Sequence, residues 1–119
     1  MKPGQTFRLI GVLGLAIFLI GCAGQASLLA TPVKTSRVEL PPSYRFDPTV
    51  IQITVGTTVT WHNGDNFTHS VSFTNGSYPF LLLKPGDSGS ITFSQPGEFD
   101  YTCTFHPHDM HGKVIVTAP

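Results

Sequence analysis

The sequence predicts an all-β sandwich, and three observations carry that expectation. Short runs rich in β-branched and aromatic residues recur between turn signals. Within those runs apolar and polar residues alternate with a period of two, and nowhere does a helical period appear. With 12 Gly and 10 Pro in 119 residues, turns are frequent and the length suits one domain.

The elements follow in order. Val50 to Val55 is a β-rich run that ends at Gly56. Thr57 to His62 places Val59 and Trp61 on one face, so His62 is expected to face solvent. After a short polar loop, His69-Ser70-Val71-Ser72-Phe73 puts His69, Val71 and Phe73 on a common face. Lys84-Pro85-Gly86-Asp87 reads as a turn before Ser90 to Phe93, and Gln95-Pro96-Gly97 as another before Glu98 to Cys103. In that strand Phe99, Tyr101 and Cys103 alternate with Asp100 and Thr102, so the thiol is expected to face the core at the strand's end. Lys113 to Thr117 closes the chain.

The N-terminus is a separate matter. Lys2 and Arg8 precede an apolar run from Leu9 to Ile20, which fits a secretory signal and falls short of the roughly 20 residues of a spanning helix. Leu19-Ile20-Gly21-Cys22 resembles a bacterial lipobox, with cleavage before Cys22 and lipidation of its thiol; an ordinary small-residue cleavage site is the alternative. The expected organisation is a lipoprotein signal peptide over 1–21, a lipidated tether over 22–36 and a folded domain over 37–119. On that reading the protein is exported and lipid-anchored through Cys22 on the extracytoplasmic (periplasmic or outer) face of a bacterial membrane.

Charge narrows the partners. From position 39 onward the chain carries seven acidic residues against Arg45, Lys84 and Lys113, a balance of 3 minus 7, or −4. Nothing basic or patterned suggests nucleic acid.

The chain has two cysteines. If Cys22 carries lipid, Cys103 is an odd thiol in an oxidising compartment, to be explained either as a metal ligand or as a small buried hydrophobe. Its neighbours favour the ligand. Cys103, His106 and Met110 bring a thiolate, an imidazole and a thioether together within eight residues. Those are three donor types of a mononuclear blue-copper site, and His69 is the candidate for the second imidazole. The candidate metal ligands are therefore His69, Cys103, His106 and Met110. His108 and His111 flank Met110, so a zinc or type-2-like site that uses one of them in place of the thioether stays chemically open.

Here the chain resembles the cupredoxins, the plastocyanin and amicyanin group in particular. The resemblance covers about residues 38–119 and rests on Tyr-Arg-Phe-Asp-Pro, Val-Thr-Trp-His-Asn, the His69-Ser70-Val71 step, Lys-Pro-Gly-Asp and Tyr-x-Cys-x-x-His-Pro. It implies a Greek-key β-sandwich of about seven to eight strands holding one copper ion that cycles between Cu(I) and Cu(II). It also implies that the Ser70 N–H donates to the Cys103 sulfur and that the Ser70 and Thr104 side chains tie the ligand segments together. Three residues separate His106 from Met110, against two in amicyanin-like loops and four in plastocyanin-like ones. Phe67, Phe105, Pro107 and Pro79-Phe80 are candidates for an apolar collar around His106. The implied function is single-electron transfer by a monomer, not enzymatic turnover, with redox proteins such as cytochromes or copper/quinone enzymes as partners. A copper-delivery or buffering lipoprotein with the same ligands is the alternative.

Overall fold

The computed structural model of the protein describes residue 4 and residues 30–119. The apolar run, Cys22 and the tether up to residue 29 lie outside the described residues. Nine strands form: β1 (Val33–Lys34), β2 (Arg37–Leu40), β3 (Val50–Thr54), β4 (Thr58–Asn63), β5 (His69–Phe73), β6 (Leu81–Leu83), β7 (Ser88–Thr92), β8 (Gly97–Thr102) and β9 (His111–Thr117). No helix occurs among the described residues. One sheet has the order β1-β3-β9-β8-β5-β6 and the other β2-β4-β7. The count exceeds seven to eight because β1 and β6 have only two and three residues, too few to show an alternation. β1 falls within the stretch expected as tether: Val33 and Lys34 pair in parallel with Ile51 and Gln52, so regular structure begins before Arg37.

The inward faces are those the period of two selects. Val59 and Trp61 of β4, Val71 and Phe73 of β5, and Tyr101 of β8 are buried in one core that both sheets share. Trp61 sits among aromatic neighbours, with ring centroids 5.6 Å from Tyr101 and 6.3 Å from Phe73 in edge-on arrangements, a geometry worth about 0.5–1.5 kcal/mol per pair beyond area burial. Burial pushes the Tyr101 phenol far above its ordinary pKa, against a smaller opposing effect from Trp61. Tyr101 lies directly across from Gly112 of β9, and a Cβ there would sit 2.2 Å from the Tyr101 ring. Only glycine leaves room for that ring.

Two registers build one pole of the sandwich. β8 and β9 pair antiparallel up to Thr102 and His111, so residues 103–110 form the connecting loop. β5 also runs antiparallel to β8, with Ser72 opposite Thr102. The start of β5 and the end of β8 therefore meet, and His69 arrives beside Cys103.

Candidate metal centre

His69 is fixed from behind. Asn63, the last residue of β4, is buried, and its Nδ2 donates to the carbonyls of Phe67 (2.8 Å) and Leu83 (2.9 Å). Its Oδ1 accepts the N–H of Asp65 at 2.9 Å. These three bonds shape the 63–68 loop and direct the Asp65 carboxylate to His69, with Oδ2 2.9 Å from Nε2. The bond from His69 holds the Asp65 carboxyl below the usual carboxylate range, although burial acts the other way. An ionised carboxylate can only accept, so Nε2 is the donor in this bond, and in the neutral imidazole that leaves Nδ1 with its lone pair. Nδ1 lies 3.7 Å from the Cys103 sulfur.

Cys103 is buried and in no disulfide among the described residues. The Ser70 N–H donates to its sulfur at 3.4 Å, and Ser70 Oγ lies 3.9 Å away. The same hydroxyl accepts the Thr104 N–H at 2.9 Å and bonds Thr104 Oγ1 at 2.9 Å. The expected tie between the two ligand segments is therefore present.

The loop after Cys103 folds back on itself. The His106 carbonyl accepts the N–H of both Asp109 (3.2 Å) and Met110 (3.0 Å), and the Met110 carbonyl accepts the Cys103 N–H at 3.2 Å. The three residues between His106 and Met110 are thus taken up in one turn of the i→i+4 kind, which returns Met110 to the interior, where it is fully buried. His106 is half-buried, and its Nδ1 is buried with no hydrogen-bond partner among the described residues. The Tyr44 ring lies 4.4 Å from the His106 ring, centroid to centroid, and stacks in turn on Phe67 at 6.0 Å.

One donor atom each from His69, Cys103 and His106 lies within 4.8 Å of the other two. A soft thiolate with two imidazoles suits copper, and the partnerless Nδ1 of His106 is the kind of buried polar atom a ligated ion satisfies. His108 and His111 are exposed and stand outside this group. His62 is half-buried on the outer face of the smaller sheet, with Nδ1 2.7 Å from Glu39 Oε2. Of the expected collar, Phe67, Phe80 and Phe105 are all more than half exposed. Sequence reasoning gave neither Asp65 nor Tyr44 a place at the site; the spacing of four between Asp65 and His69 was the only available hint of the first, and the second stood out only as the start of the Tyr-Arg-Phe-Asp-Pro motif.

A β-sandwich that converges one thiol and two imidazoles at a pole defines a protein built for a single soft-seeking metal ion. The chain belongs to the cupredoxin-like domain family, whose pattern matches residues 12–116. It is similar to amicyanin-alpha of Methylorubrum extorquens, with 31% identity over 86% of this chain and 84% of the relative. Among solved structures it resembles a purple cupredoxin from Nitrosopumilus maritimus, with a TM-score of 0.62 and 29% identity over 70% of this chain and all of that one. A Cu(I) structure of an amicyanin variant gives 0.61 and 32% over 68% and 80%. The cofactor is accordingly one copper ion, and the class is that of blue-copper electron-transfer proteins.

Proposed function

We propose that His69, Cys103 and His106 hold the copper, with Met110 as a weak fourth ligand, and that the protein passes single electrons between redox proteins at an extracytoplasmic membrane surface. The observation that carries this reading is the convergence of the three donors within 4.8 Å. Bound copper supplies one-electron chemistry, its sulfur ligand favouring Cu(I) and its nitrogen ligands tolerating Cu(II). The chain's part is to keep the donors still. With copper bound, Cys103 would ligate as the thiolate, its proton released to solvent; the Ser70 N–H is placed to steady that sulfur, and Asp65 keeps His69 oriented. Donors fixed in this way need little rearrangement between oxidation states.

The half-buried His106, with Tyr44, Phe67 and Phe105 exposed around this pole, supplies an apolar rim for brief encounters with cytochromes or copper/quinone enzymes. Lipid anchoring at Cys22 is supported by the sequence of the signal-like run and its terminal cysteine. We read the protein as a carrier and not an enzyme, because Asp65, Ser70 and Thr104, the polar side chains beside the donors, are engaged in holding them.

Adding Cu(II) to the purified protein is expected to give an intense visible absorption and an EPR spectrum with a small parallel hyperfine coupling. Cys103→Ser should abolish the colour, and Met110→Gln should keep it while lowering the potential. A colourless complex with ordinary tetragonal copper EPR would overturn the reading. For the anchor, the protein produced with a labelled fatty acid should carry the label and Cys22→Ser should not, and an unlabelled parent would refute lipidation there.

A further inference from the structure

A carboxylate stands behind His69, on the ring nitrogen that does not face Cys103. Asp65 is 6% exposed, and its backbone is pinned by the Asn63 side chain. Its Oδ1 takes the Asn66 N–H at 2.7 Å and its Oδ2 the His69 Nε2–H at 2.9 Å. Among the described residues no Lys or Arg pairs with it; its one ion-pairing partner is His69. Among those residues His106 has no carboxylate bonded to it either, and its buried nitrogen has no partner. The two imidazoles of the centre are therefore chemically unequal.

We propose that Asp65 is a positioning residue that locks His69 with Nδ1 toward Cys103 and lowers the copper potential by keeping a negative charge behind that ring. The potential half of this inference rests on the copper reading above; the positioning half does not. Two effects act in one direction. An imidazole that donates to a carboxylate becomes a more basic ligand through its other nitrogen, and a nearby anion in a poorly solvated site favours the more highly charged of two oxidation states. Both favour Cu(II) over Cu(I). Neither effect requires Asp65 to change its protonation. The loop makes the arrangement a built one, since Asn63 fixes where residue 65 stands and Asn66 fixes how its carboxylate turns.

The test uses Asp65→Asn, which removes the charge at nearly constant size, and Asp65→Glu, which restores it. In Asp65→Asn the ratio of Cu(II) to Cu(I) affinity is expected to fall about tenfold, which raises the potential by about 59 mV for one electron. Asp65→Glu should return most of that shift. A potential in Asp65→Asn that is unchanged or lower, with the visible spectrum and urea midpoint retained, overturns the electrostatic role. In the metal-free protein, 15N NMR of His69 should show a protonated Nε2 and a bare Nδ1, and Asp65→Ala should lose that preference. The same tautomer at the same population in Asp65→Ala overturns the positioning role. Should Asp65→Ala not fold, Asp65→Leu takes its place, a side chain of similar reach that cannot accept the Nε2–H bond, and an unchanged His69 tautomer there overturns the positioning role in the same way. If no coloured copper complex forms at all, it is the copper reading that fails, and the metal-free measurement still decides what Asp65 does.

Discussion

The two imidazoles of the centre are held by opposite means. His69 opens a strand, is fully buried and is bonded from behind by a carboxylate that a buried asparagine positions. His106 sits in a turn, is half-buried, and leans on the exposed Tyr44 ring while its inner nitrogen goes unbonded. One half of the site is set by the protein alone. The other is left for the metal to complete. The division suits a carrier: a fixed wall keeps geometry constant across oxidation states, and a half-buried imidazole on the opposite side gives electrons a short way out. Ser70 joins the halves, touching the Cys103 sulfur with its N–H and the Thr104 backbone with its hydroxyl.

The most damaging test of this division is Asn63→Ala. It would leave the Phe67 and Leu83 carbonyls and the Asp65 N–H without their partner, and a buried polar group left unpaired costs about 1–3 kcal/mol. With some rescue by water, we expect a loss of about 3 kcal/mol in the urea unfolding of the metal-free protein. His108→Ala, on the exposed turn of the other half, should change stability by less than about 0.5 kcal/mol. Equal costs for the two variants would show that the wall is no more preset than the loop.

A smaller effect, of a different kind, is expected at Tyr44. Ser43 and Tyr44 adopt left-handed backbone conformations with φ of 97° and 53°, which non-glycine residues seldom take without support; the Arg45 Nη1 bond to Ser43 Oγ at 2.6 Å is part of that support. The bend lays the Tyr44 ring on His106. Tyr44→Ala should leave the fold intact but remove about 1 kcal/mol of ring contact, equivalent to about fivefold in rate. Copper should pass to a chelator faster by roughly that factor, whereas Tyr44→Phe should match the parent. An unaltered transfer rate in Tyr44→Ala would mean that His106 holds its place unaided.

The same division explains what could be read from the sequence. The wall's strand and its inward His69 were legible because a period of two leaves no freedom about which side a residue faces. So was the inward direction of Cys103, from its alternation with Phe99 and Tyr101. The parts that complete each half come from loops, which have no period. Asp65 reaches His69 only because Asn63 folds the 63–68 segment, and Tyr44 reaches His106 only through two unusual φ values. The spacing before Met110 was legible as a number, but its accommodation was not: that needed the His106 carbonyl to accept two N–H groups at once. β1 and β6 escaped notice because two or three residues cannot display an alternation; β2 also went unnamed, although its four residues alternate in burial.

The smallest expected effect fixes the baseline for the others. Glu39, on the outer face of the smaller sheet, belongs to neither half of the site; it accepts from His62 Nδ1 at 2.7 Å and from Arg37 Nε at 2.5 Å, with its side chain 41% exposed. Burial acts to raise its pKa, but the bonds from His62 and Arg37 together bring it below the ordinary 4.5. A carboxyl depressed on folding contributes stability that is fully present above its unfolded pKa and is lost as pH falls through the folded one. Glu39→Gln should therefore cost less than about 1 kcal/mol at pH 7, since exposed pairs are screened by solvent and salt. The gap between parent and variant should close as pH drops below 4.5, as followed by urea midpoints. Because the bonded network stops at Arg37 and His62, the copper spectrum should not respond. A loss as large as that of Asn63→Ala, or one that persists in acid, would show that charge on the outer face supports the wall, which the bonding around Asn63 and Asp65 gives no reason to expect.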